Sequence, residues 1–535
     1  MSAASSAAAG FCAVAFALFA ARRLLTYLHL FQQEEYDGGR FLRWLVRSGT
    51  WDRRLSYALI AICAAQLATV LLIGPAVFVA LAGIACLAAA AFERDPRRNA
   101  KKRLVMTARA KRIYGIALVL EIVAAAAVAA STDYVLAWLA PVQLAPFALV
   151  AANLALAPFE ARVQRRYWRE AQAALRRIDP VVVAVTGSYG KTSVKHILGH
   201  ILETTGPTLI TPGSVNTAMG IARVIRERLA PHHRYFVVEM GAYGIGSIAR
   251  LCALTPPKIG IISAIGMAHY ERFKSLDAVS HAKFELAEAV RDNGGTVIVN
   301  ADVLDLPWPR EFVERHPEMT VTVGEAADAG LVIRDLRQET DGIVAAIEWR
   351  GEPYELRAPL FGLHQGRNIA LAFAAACTLG MAPQDVVASL KTAPQIAHRL
   401  EVKHQGGGAI VIDDAYNSNP VGFASALALL DRLHRPGGRR ILVTPGMAEL
   451  GSRHEAEHRR IGELAARHAD VLLAVAPHRV KPLSDAFAAA APDAAIVSCA
   501  GFAEAQAWLD GNLGPQDVVL LENDLPDLLE RKLRL

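Results

Sequence analysis

The stretch VVVAVTGSYGKTSVKHIL at residues 181–198 decides the fold, because it joins a short apolar run to two glycines and then to a helical segment. This order predicts a buried strand, a tight turn and a helix that begins near Lys191. The widespread spacing G-x-x-x-x-G-K-[ST] needs a glycine at the position that Val185 occupies. The shorter pattern G-x-x-G-K-T from Gly187 still predicts a loop that binds phosphate.

The chemistry of phosphate binding accounts for each residue type in this turn. Gly187 and Gly190 allow the backbone to curl so that amide N–H groups face an anion, and the following helix points its positive end the same way. Lys191 can reach the β- and γ-phosphates of a nucleotide, and the Thr192 hydroxyl can bind Mg²⁺. The alternative is a strand, turn and helix that bind no ligand.

After Pro180, short β-branched runs alternate with helical stretches rich in Ala and Leu. The runs are Val181–Val185, Tyr235–Glu239, Ile259–Ser263, Thr296–Asn300, Ile410–Asp413, Ile441–Thr444, Val471–Val475 and Val518–Glu522. This alternation predicts an α/β fold with a mostly parallel sheet. A change of composition near 395–400 divides it into a central ATP-binding domain at 180–396 and a C-terminal domain at 397–535. The C-terminal domain resembles a Rossmann fold but lacks G-x-G-x-x-G.

Residues 1–160 have a different character, and they account for much of the 53% hydrophobic content of this 535-residue chain. Charged residues are absent from three long apolar stretches, at 3–21, 55–92 and 134–159, and the stretch 113–131 carries only one, Glu121. A spanning helix needs about 20 such residues. We expect an α-helical membrane block of five spans, with 55–92 folded as a hairpin and the fifth span interrupted by prolines. The prolines are Pro141, Pro146 and Pro158.

Basic residues indicate how the membrane block is oriented. Lys and Arg cluster in the loops at 22–54 and 94–112, whereas the hairpin tips near Gly74 and Thr132 carry none. The positive-inside rule places both loops and the α/β part in the cytoplasm, in a multi-pass protein of the cytoplasmic membrane. A basic amphipathic linker helix is expected at 161–179. The net charge of +6 is therefore interpreted as topology and not as nucleic-acid binding.

Several single residues are candidates for chemistry. Glu239 ends an apolar strand, where a carboxylate can bind Mg²⁺, although a solvated glutamate is equally common there. His269 follows another strand and Lys283 lies on the next helix, but a lone histidine is more often structural. Glu121 lies within a span, either as a functional group or as a protonated group at a packing interface. Six scattered cysteines without a CxxC pair suggest neither a disulfide framework nor a zinc site.

Motifs in a fixed order extend over residues 180–460. They are TGSYGKTS at 186–193, TPGSVN at 211–216, EMGA at 239–242, AHYERF at 268–273, AKFE at 282–285, GLHQGRNIALA at 362–372, HRLE at 398–401, DDAYNSNP at 413–420 and GMAELGSRH at 446–454. The set resembles the Mur ligase family, most closely its D-alanyl-D-alanine-adding branch. The resemblance implies a reaction in which ATP phosphorylates a carboxylate and an amine then attacks the acyl phosphate.

The resemblance also implies a role for individual residues. Catalysis would involve Lys191, His269, Lys283 and Arg399. The nucleotide would be bound by Gly187, Ser188, Tyr189, Gly190, Lys191, Thr192, Ser193, Asn368, Arg399 and Asp414. Mg²⁺ would be held by Thr192, Glu239, His269 and Lys283, the last as a carbamate. The substrates would be contacted by Asn216, Tyr416, Asn417 and Asn419.

The chain departs from the family pattern in ways that bear on its substrates. Ala264, Gln365 and Ala415 replace more polar or differently shaped family residues, and 444–447 reads TPGM, without the usual acidic group. The membrane block also stands where soluble relatives hold the UDP of their substrate. The amine would be an amino acid or dipeptide, and the acceptor a UDP-muramoyl peptide or a lipid-linked carboxylate of bacterial cell-wall synthesis. Alternatives are a polyglutamate-type ligase, a non-catalytic ATP-binding membrane scaffold and, least favoured, an ATP-driven transporter.

Overall fold

The computed structural model describes residues 3–69, 73–99, 103–266, 273, 275–416, 418–448 and 450–524. The chain divides into two compact units, of which the first ends at Val163 and the second begins at Gln164. We describe each unit by itself.

The first unit is helical. Its helices are α1 (Ala3–Gln33), α2 (Gly38–Ser48), α3 (Arg54–Thr69), α4 (Pro75–Phe92), α5 (Pro96–Asn99), α6 (Ala108–Ser131) and the start of α7 (Leu139–Ile178), with a 3₁₀ turn at Val135–Trp138. Phe16, Phe19 and Trp138 are fully buried in one core of this bundle. Its outer surface is also apolar, with Leu67 and Val123 among the exposed side chains, as expected of helices that face lipid.

Four stretches of the described chain are long and apolar enough to cross a membrane: Ala3–Gln33, Pro75–Arg98, Ala108–Ser131 and Val135–Ile178. The second of the five predicted spans is not among them, because α3 has 16 residues within the part of the chain that the structure describes. At about 1.5 Å per residue, a helix of this length reaches roughly 24 Å, which is less than the roughly 30 Å of a bilayer core.

Helix α7 also differs from its prediction. It continues for 40 residues through Pro146 and Pro158 to Ile178. Pro141 lies in its first turn, where a backbone N–H has no partner within the helix, and each interior proline removes only one hydrogen bond of a long ladder. The prolines therefore do not interrupt the last span, and the basic segment predicted as a separate helix at 161–179 is the end of α7.

Charged side chains are buried at the ends of several helices of the first unit. The guanidinium Nη2 of Arg23 lies 2.9 Å from Asp52 Oδ2 and 3.1 Å from Glu93 Oε2. These contacts join α1 to the segments before α3 and after α4. Glu121 of α6 is 2% exposed, so its side chain lies inside the bundle and not on its outer surface.

The second unit is built from two sheets with helices packed on them. Its strands are β1 (Val181–Thr186), β2 (Thr208–Ile210), β3 (Tyr235–Glu239), β4 (Ile259–Ile262), β5 (Thr296–Asn300), β6 (Thr320–Gly324), β7 (Leu331–Gln338), β8 (Ile343–Trp349), β9 (Glu352–Ala358), β10 (Glu401–His404), β11 (Ile410–Asp414), β12 (Arg440–Thr444), β13 (Val471–Val475), β14 (Ala495–Cys499) and β15 (Val518–Glu522). Its helices after α7 are α8 (Lys191–Glu203), α9 (Ala218–Arg228), α10 (Ser247–Leu254), α11 (Leu276–Asp292), α12 (Pro307–Arg315), α13 (His364–Thr378), α14 (Pro383–Leu390), α15 (Pro420–Arg432), α16 (His454–His468), α17 (Pro477–Ala490) and α18 (Phe502–Asn512).

The first sheet has the order β2-β3-β1-β4-β5-β6-β7-β8-β9. Strands β1 to β7 pair in parallel, and β7, β8 and β9 pair antiparallel. β1 is central, and its side chains enter the cores on both faces of the sheet. A strand covered on both faces reads as a continuous apolar run, which is why Val181–Val185 was recognisable in the sequence.

The second sheet has the order β10-β11-β15-β12-β13-β14, with only β10 antiparallel among the described strands. The predicted fold class is confirmed: a helical block is followed by an α/β part with a parallel central sheet and a second, Rossmann-like sheet. The carboxyl ends of parallel strands carry Glu239 in the first sheet and Asp414 in the second.

Candidate active site

The turn between β1 and α8 has a geometry that only glycine can adopt at two positions. Gly187 has φ +152° and Gly190 has φ +83°. A Cβ atom at Gly187 would lie 2.0 Å from Ser263 Oγ, and one at Gly190 would lie 2.6 Å from Asn368 Oδ1. The loop therefore packs backbone against its neighbours, as a phosphate cradle requires.

The segment after β4 supports this loop from the side. Ser188 donates its backbone N–H to the Ala264 carbonyl at 2.6 Å. Ser263 donates its hydroxyl to the Tyr189 carbonyl at 2.6 Å. Ala264 thus contributes through its backbone, so its lack of a polar side chain does not disturb the loop. The sequence analysis missed Ser263, whose only signal was its position directly after a buried strand.

Lys191 lies folded over the loop. Its Nζ donates to the carbonyls of Gly187 at 2.7 Å and Ser188 at 3.1 Å. Burial lowers the pKa of this ammonium to about 8, against the opposing effect of Glu239, and the charge of Arg399 lowers the pKa further. Triphosphate oxygens would supply the negative charge that this buried cation lacks, so the loop fits ATP.

The carboxylate of Glu239 is the centre of a polar cluster at the end of β3. Its Oε2 accepts from Thr192 Oγ1 at 3.0 Å, and its Oε1 accepts from Asn216 Nδ2 at 3.1 Å. The two predicted Mg²⁺ ligands Thr192 and Glu239 are thus in contact. Oxygen donors beside a triphosphate cradle are the set that Mg²⁺ prefers, so the residues present fit the ion. Asn216, predicted to contact substrate, lies against this cluster, and its Oδ1 accepts from Tyr243 at 3.1 Å.

Lys195 belongs to the same cluster and was not predicted. Its Nζ lies 3.1 Å from Glu239 Oε2, and the side chains of Lys195 and Glu239 are 0% and 2% exposed. It could have been predicted from its position, because it follows Lys191 by one helical turn and lies on the same face of α8. A buried ion pair of this kind holds the carboxylate in one orientation.

Replacing Lys195 with methionine is expected to lower the free energy of unfolding of the second unit by about 3–5 kcal/mol, because it leaves Glu239 charged and unpaired. Pulse proteolysis of the full-length protein in urea would measure this loss. The double variant Lys195→Met/Glu239→Gln removes the unpaired charge and should recover part of the loss. Equal stability of Lys195→Met and the wild type would show that the ion pair has no such role.

Lys283 of α11 lies on the other side of the phosphate loop. Its Nζ donates to the Gly187 carbonyl at 2.8 Å. Burial, and then the charge of Lys191, hold the pKa of this amine well below its usual range. A neutral amine is the form that reacts with CO₂, so the environment suits the predicted carbamate. His269, the remaining predicted metal ligand, lies outside the described residues.

The helix α13 brings its amide side chains to the loop. Asn368 is 5% exposed, and its Nδ2 donates to Gln365 Oε1 at 2.9 Å. Gln365 in turn lies 3.4 Å from Ser193 Oγ. Asn368 is therefore fixed against Gly190 by its neighbours, and its contact with adenine stays a prediction.

Residues before β10 and after β11 form a further group around Asp414. The guanidinium of Arg399 lies over the Tyr416 ring at 4.2 Å, and Leu400 donates its backbone N–H to Asp414 Oδ1 at 3.1 Å. Asn419 caps α15 by accepting from the backbone N–H of Val421 and of Gly422. Its side chain thus has a structural use, and its contact with substrate stays a prediction. Asn417 lies outside the described residues.

These features define a protein that binds a nucleoside triphosphate with Mg²⁺ at the carboxyl end of a parallel sheet. Comparison with known proteins supplies the family. The Mur ligase middle domain matches residues 185–376, and the Mur ligase glutamate ligase domain matches residues 398–522.

Relatives and solved structures agree with this match. The UDP-N-acetylmuramoyl-tripeptide--D-alanyl-D-alanine ligase of Mycobacterium tuberculosis (strain CDC 1551 / Oshkosh) is 32% identical over 64% of this chain and 70% of its own. The enzyme of that name from Escherichia coli K12 is 32% identical over 54% of this chain and 63% of its own. The crystal structure of MurF from Acinetobacter baumannii superposes with a TM-score of 0.57 and 26% identity, covering 69% of this chain and 81% of that one. MurF from Thermotoga maritima in complex with ADP has the same fold, with a TM-score of 0.58 and 23% identity over 69% and 82%.

The chain belongs to the Mur ligase family. It is a MurF-like, ATP-dependent ligase. Because Mur ligases use ATP and Mg²⁺, membership of the family confirms the predicted use of both. The chain spans less than two thirds of the length of some of these relatives, such as 63% of the Escherichia coli enzyme and 56% of that of Mycobacterium bovis. The roles of single residues remain predictions.

Proposed function

We propose that this chain is a membrane-anchored peptide ligase of cell-wall precursor synthesis that joins an amine to a carboxylate through an acyl phosphate. The observation that carries the proposal is the contact network around the phosphate loop. Lys191 and Lys283 both donate to the Gly187 carbonyl, and Thr192 contacts Glu239. A scaffold that only bound a nucleotide would not need a second, buried lysine and a buried carboxylate beside the lysine of the loop.

Each group transferred in the proposed reaction has a defined source and destination. ATP supplies a phosphoryl group that converts the carboxylate into an acyl phosphate, and Mg²⁺ offsets the negative charge that accumulates there. Lys191 would bind and orient the phosphates, while Glu239 and a carbamate on Lys283 would hold Mg²⁺, which supplies charge neutralisation when bound. Arg399 approaches from the second sheet. The amine then displaces phosphate, losing a proton as the amide bond forms.

The substrates are suggested by the names of the relatives. We propose D-alanyl-D-alanine, or a related amino acid, as the amine, and a UDP-muramoyl peptide or a lipid-linked carboxylate as the acceptor. The N-terminal block supports the second kind of acceptor, because it occupies the place of a soluble substrate-binding domain.

Membrane attachment rests on the four long apolar stretches, together with the basic loops between them. We propose that α3 and α4 form a hairpin that returns the chain to the cytoplasmic side, since both basic loops then lie in the cytoplasm. The ligase part would face cytoplasmic ATP.

The full-length protein is expected in the membrane fraction after washing with alkaline carbonate, because the apolar helices cannot be removed by salt or pH. A cysteine placed at Thr132 should react with an impermeant thiol reagent in intact cells, and one placed at exposed Arg47 should not. Release of the protein by carbonate would contradict membrane insertion, and the reverse labelling pattern would contradict the orientation.

Substrate pairing tests the proposed reaction. ADP release by the detergent-purified full-length protein would be measured with D-alanyl-D-alanine or single amino acids, each with UDP-muramoyl-tripeptide or with a membrane lipid extract. Release that needs the nucleotide substrate and the dipeptide indicates a tethered form of the soluble reaction. Release only with the lipid extract indicates that the membrane block binds the acceptor. The absence of release with every pair, while ATP still binds, would contradict the proposal.

A further inference from the structure

Two carboxyl groups face each other inside the second sheet of the second unit. β11 and β15 are neighbouring parallel strands, and their register places Asp414 beside Glu522 at the carboxyl end of both. Glu522 is 0% exposed and Asp414 is 8% exposed. The two carboxyl groups are therefore neighbours, and the charge of Asp414 acts directly on Glu522. This pair lies directly before the loop that holds the predicted substrate residues.

A hydrogen bond between two carboxyl groups requires a proton on one of them. No donor among the described residues reaches Glu522 Oε2. Burial, and then the charge of Asp414, hold the pKa of Glu522 well above its usual range. Burial raises the pKa of Asp414 to about 6, and Arg399 opposes that rise. Because two adjacent buried carboxylates repel each other, the pair keeps one proton and Glu522 carries it.

Charged side chains near the pair also affect which of its two carboxyl groups is ionised. The charge of Arg399, in the segment before β10, lowers the pKa of Asp414. The charge of Asp413, on the same strand as Asp414, raises it. Asp413 is itself paired with Lys403, whose Nζ lies 2.7 Å from Asp413 Oδ2. The positive charge that remains near Asp414 is that of Arg399, which favours the ionised form of Asp414 over that of Glu522.

Each end of the pair is attached to a segment that the family resemblance assigns to the site. Ser418 donates its hydroxyl to Glu522 Oε1 at 2.5 Å, which ties the loop after β11 to β15. Asp414 Oδ1 accepts the backbone N–H of Leu400, which follows Arg399 and has φ +50°. A leucine with left-handed backbone angles is strained, so the hydrogen bond to Asp414 helps to hold the segment of Arg399 and Leu400 in this conformation.

We propose that Glu522 is a positioning residue: as a neutral acid it donates to Asp414 and holds that carboxylate in place for the ribose hydroxyls of ATP. This inference rests on the proposed function, in which Asp414 binds ribose, and it adds a residue with no assigned role. Glu522 does not touch the nucleotide, because it is fully buried behind Asp414. Its effect reaches ATP only through that neighbour.

Mg-ATP binding to the detergent-purified full-length protein, measured by equilibrium dialysis, tests the proposal. Glu522→Ala is expected to raise the Kd for ATP by about tenfold, the effect of losing one buried hydrogen bond. Glu522→Gln should stay within about twofold of the wild type, because its amide N–H replaces the acid proton and its oxygen still accepts from Ser418. If Glu522 acts through Asp414, then Glu522→Ala should cause no further loss in an Asp414→Ala background.

Three results would overturn the proposal. They are a Glu522→Gln variant as weak as Glu522→Ala, a Glu522→Ala variant that binds ATP like the wild type, and additive losses in the double variant. The nearly isosteric Gln variant decides the question even if the Ala variant fails to fold. ATP binding can be measured without an acceptor, so this test is independent of turnover. If the variants show the expected Kd values but the protein releases no ADP with any substrate pair, the proposed reaction is contradicted and the role of Glu522 is not.

Discussion

Replacing Lys191 with alanine is expected to lower kcat for ADP release by about 100- to 1,000-fold. The ammonium lies over the phosphate loop, hydrogen-bonded to the carbonyls of Gly187 and Ser188 and partly removed from water. A fixed cation in a dry site stabilises the charge that develops on the transferred phosphoryl group far more than a cation in water does. The measurement is steady-state ADP release by the full-length protein.

The matched control is Lys258→Ala, since Lys258 is an exposed lysine of the same unit. It should leave kcat unchanged within about twofold. The Lys191→Ala variant should also retain the stability of the wild type or exceed it, because a partly desolvated cation without a carboxylate partner is removed. Activity within tenfold of the wild type after Lys191→Ala would contradict the assignment of this loop as the triphosphate site.

Lys283→Ala is expected to cause the second large loss, again of at least about 100-fold, if its carbamate is a metal ligand. Added formate or acetate should restore part of the activity, since a small carboxylate can occupy the space of the carbamate. Lys283→Arg should not be active, because a guanidinium cannot form this carbamate. Carbon-13 NMR of the wild-type protein in labelled bicarbonate should show one carbamate signal that is absent from Lys283→Ala.

The direction of the pH effect follows from the lowered pKa of Lys283. A lowered pKa enlarges the neutral fraction of the amine near neutral pH, and only the neutral amine binds CO₂. Acidification through that pKa therefore favours loss of the carbamate, and activity should fall on the acid side. Arg291→Ala on the same helix is the control and should keep its activity. Full activity of the wild type after removal of CO₂ and bicarbonate would contradict this role.

The phosphate loop could be predicted because its signals are local. Gly187, Gly190, Lys191 and Thr192 lie within six positions of one another, and the strand before them is apolar because it is covered on both faces. The parallel strands that flank it were recognisable for the same reason. The end of one of these strands then indicated Glu239 before any distance was known, whereas Asp414 was implied only by the family resemblance.

Other features depend on contacts that spacing does not reveal. Ser263 supports the loop across 74 positions, and Glu522 reaches Ser418 across 104. The antiparallel strands β7 to β9 were missed because they pair with each other at the edge of a sheet predicted as parallel. The last predicted span agrees with an apolar helix in the structure, but the interruption expected at its prolines is absent from α7, since a long helix can lose single hydrogen bonds and continue.

The central claim is that this chain activates a carboxylate by phosphorylation, and transfer of oxygen tests it most directly. UDP-muramoyl-tripeptide labelled with ¹⁸O in its terminal carboxylate would be incubated with ATP, D-alanyl-D-alanine and the full-length protein. If an acyl phosphate forms, each new peptide bond moves one ¹⁸O atom from the carboxylate to inorganic phosphate, which mass spectrometry detects. Peptide formed with unlabelled phosphate, or with the label in AMP, would contradict the account.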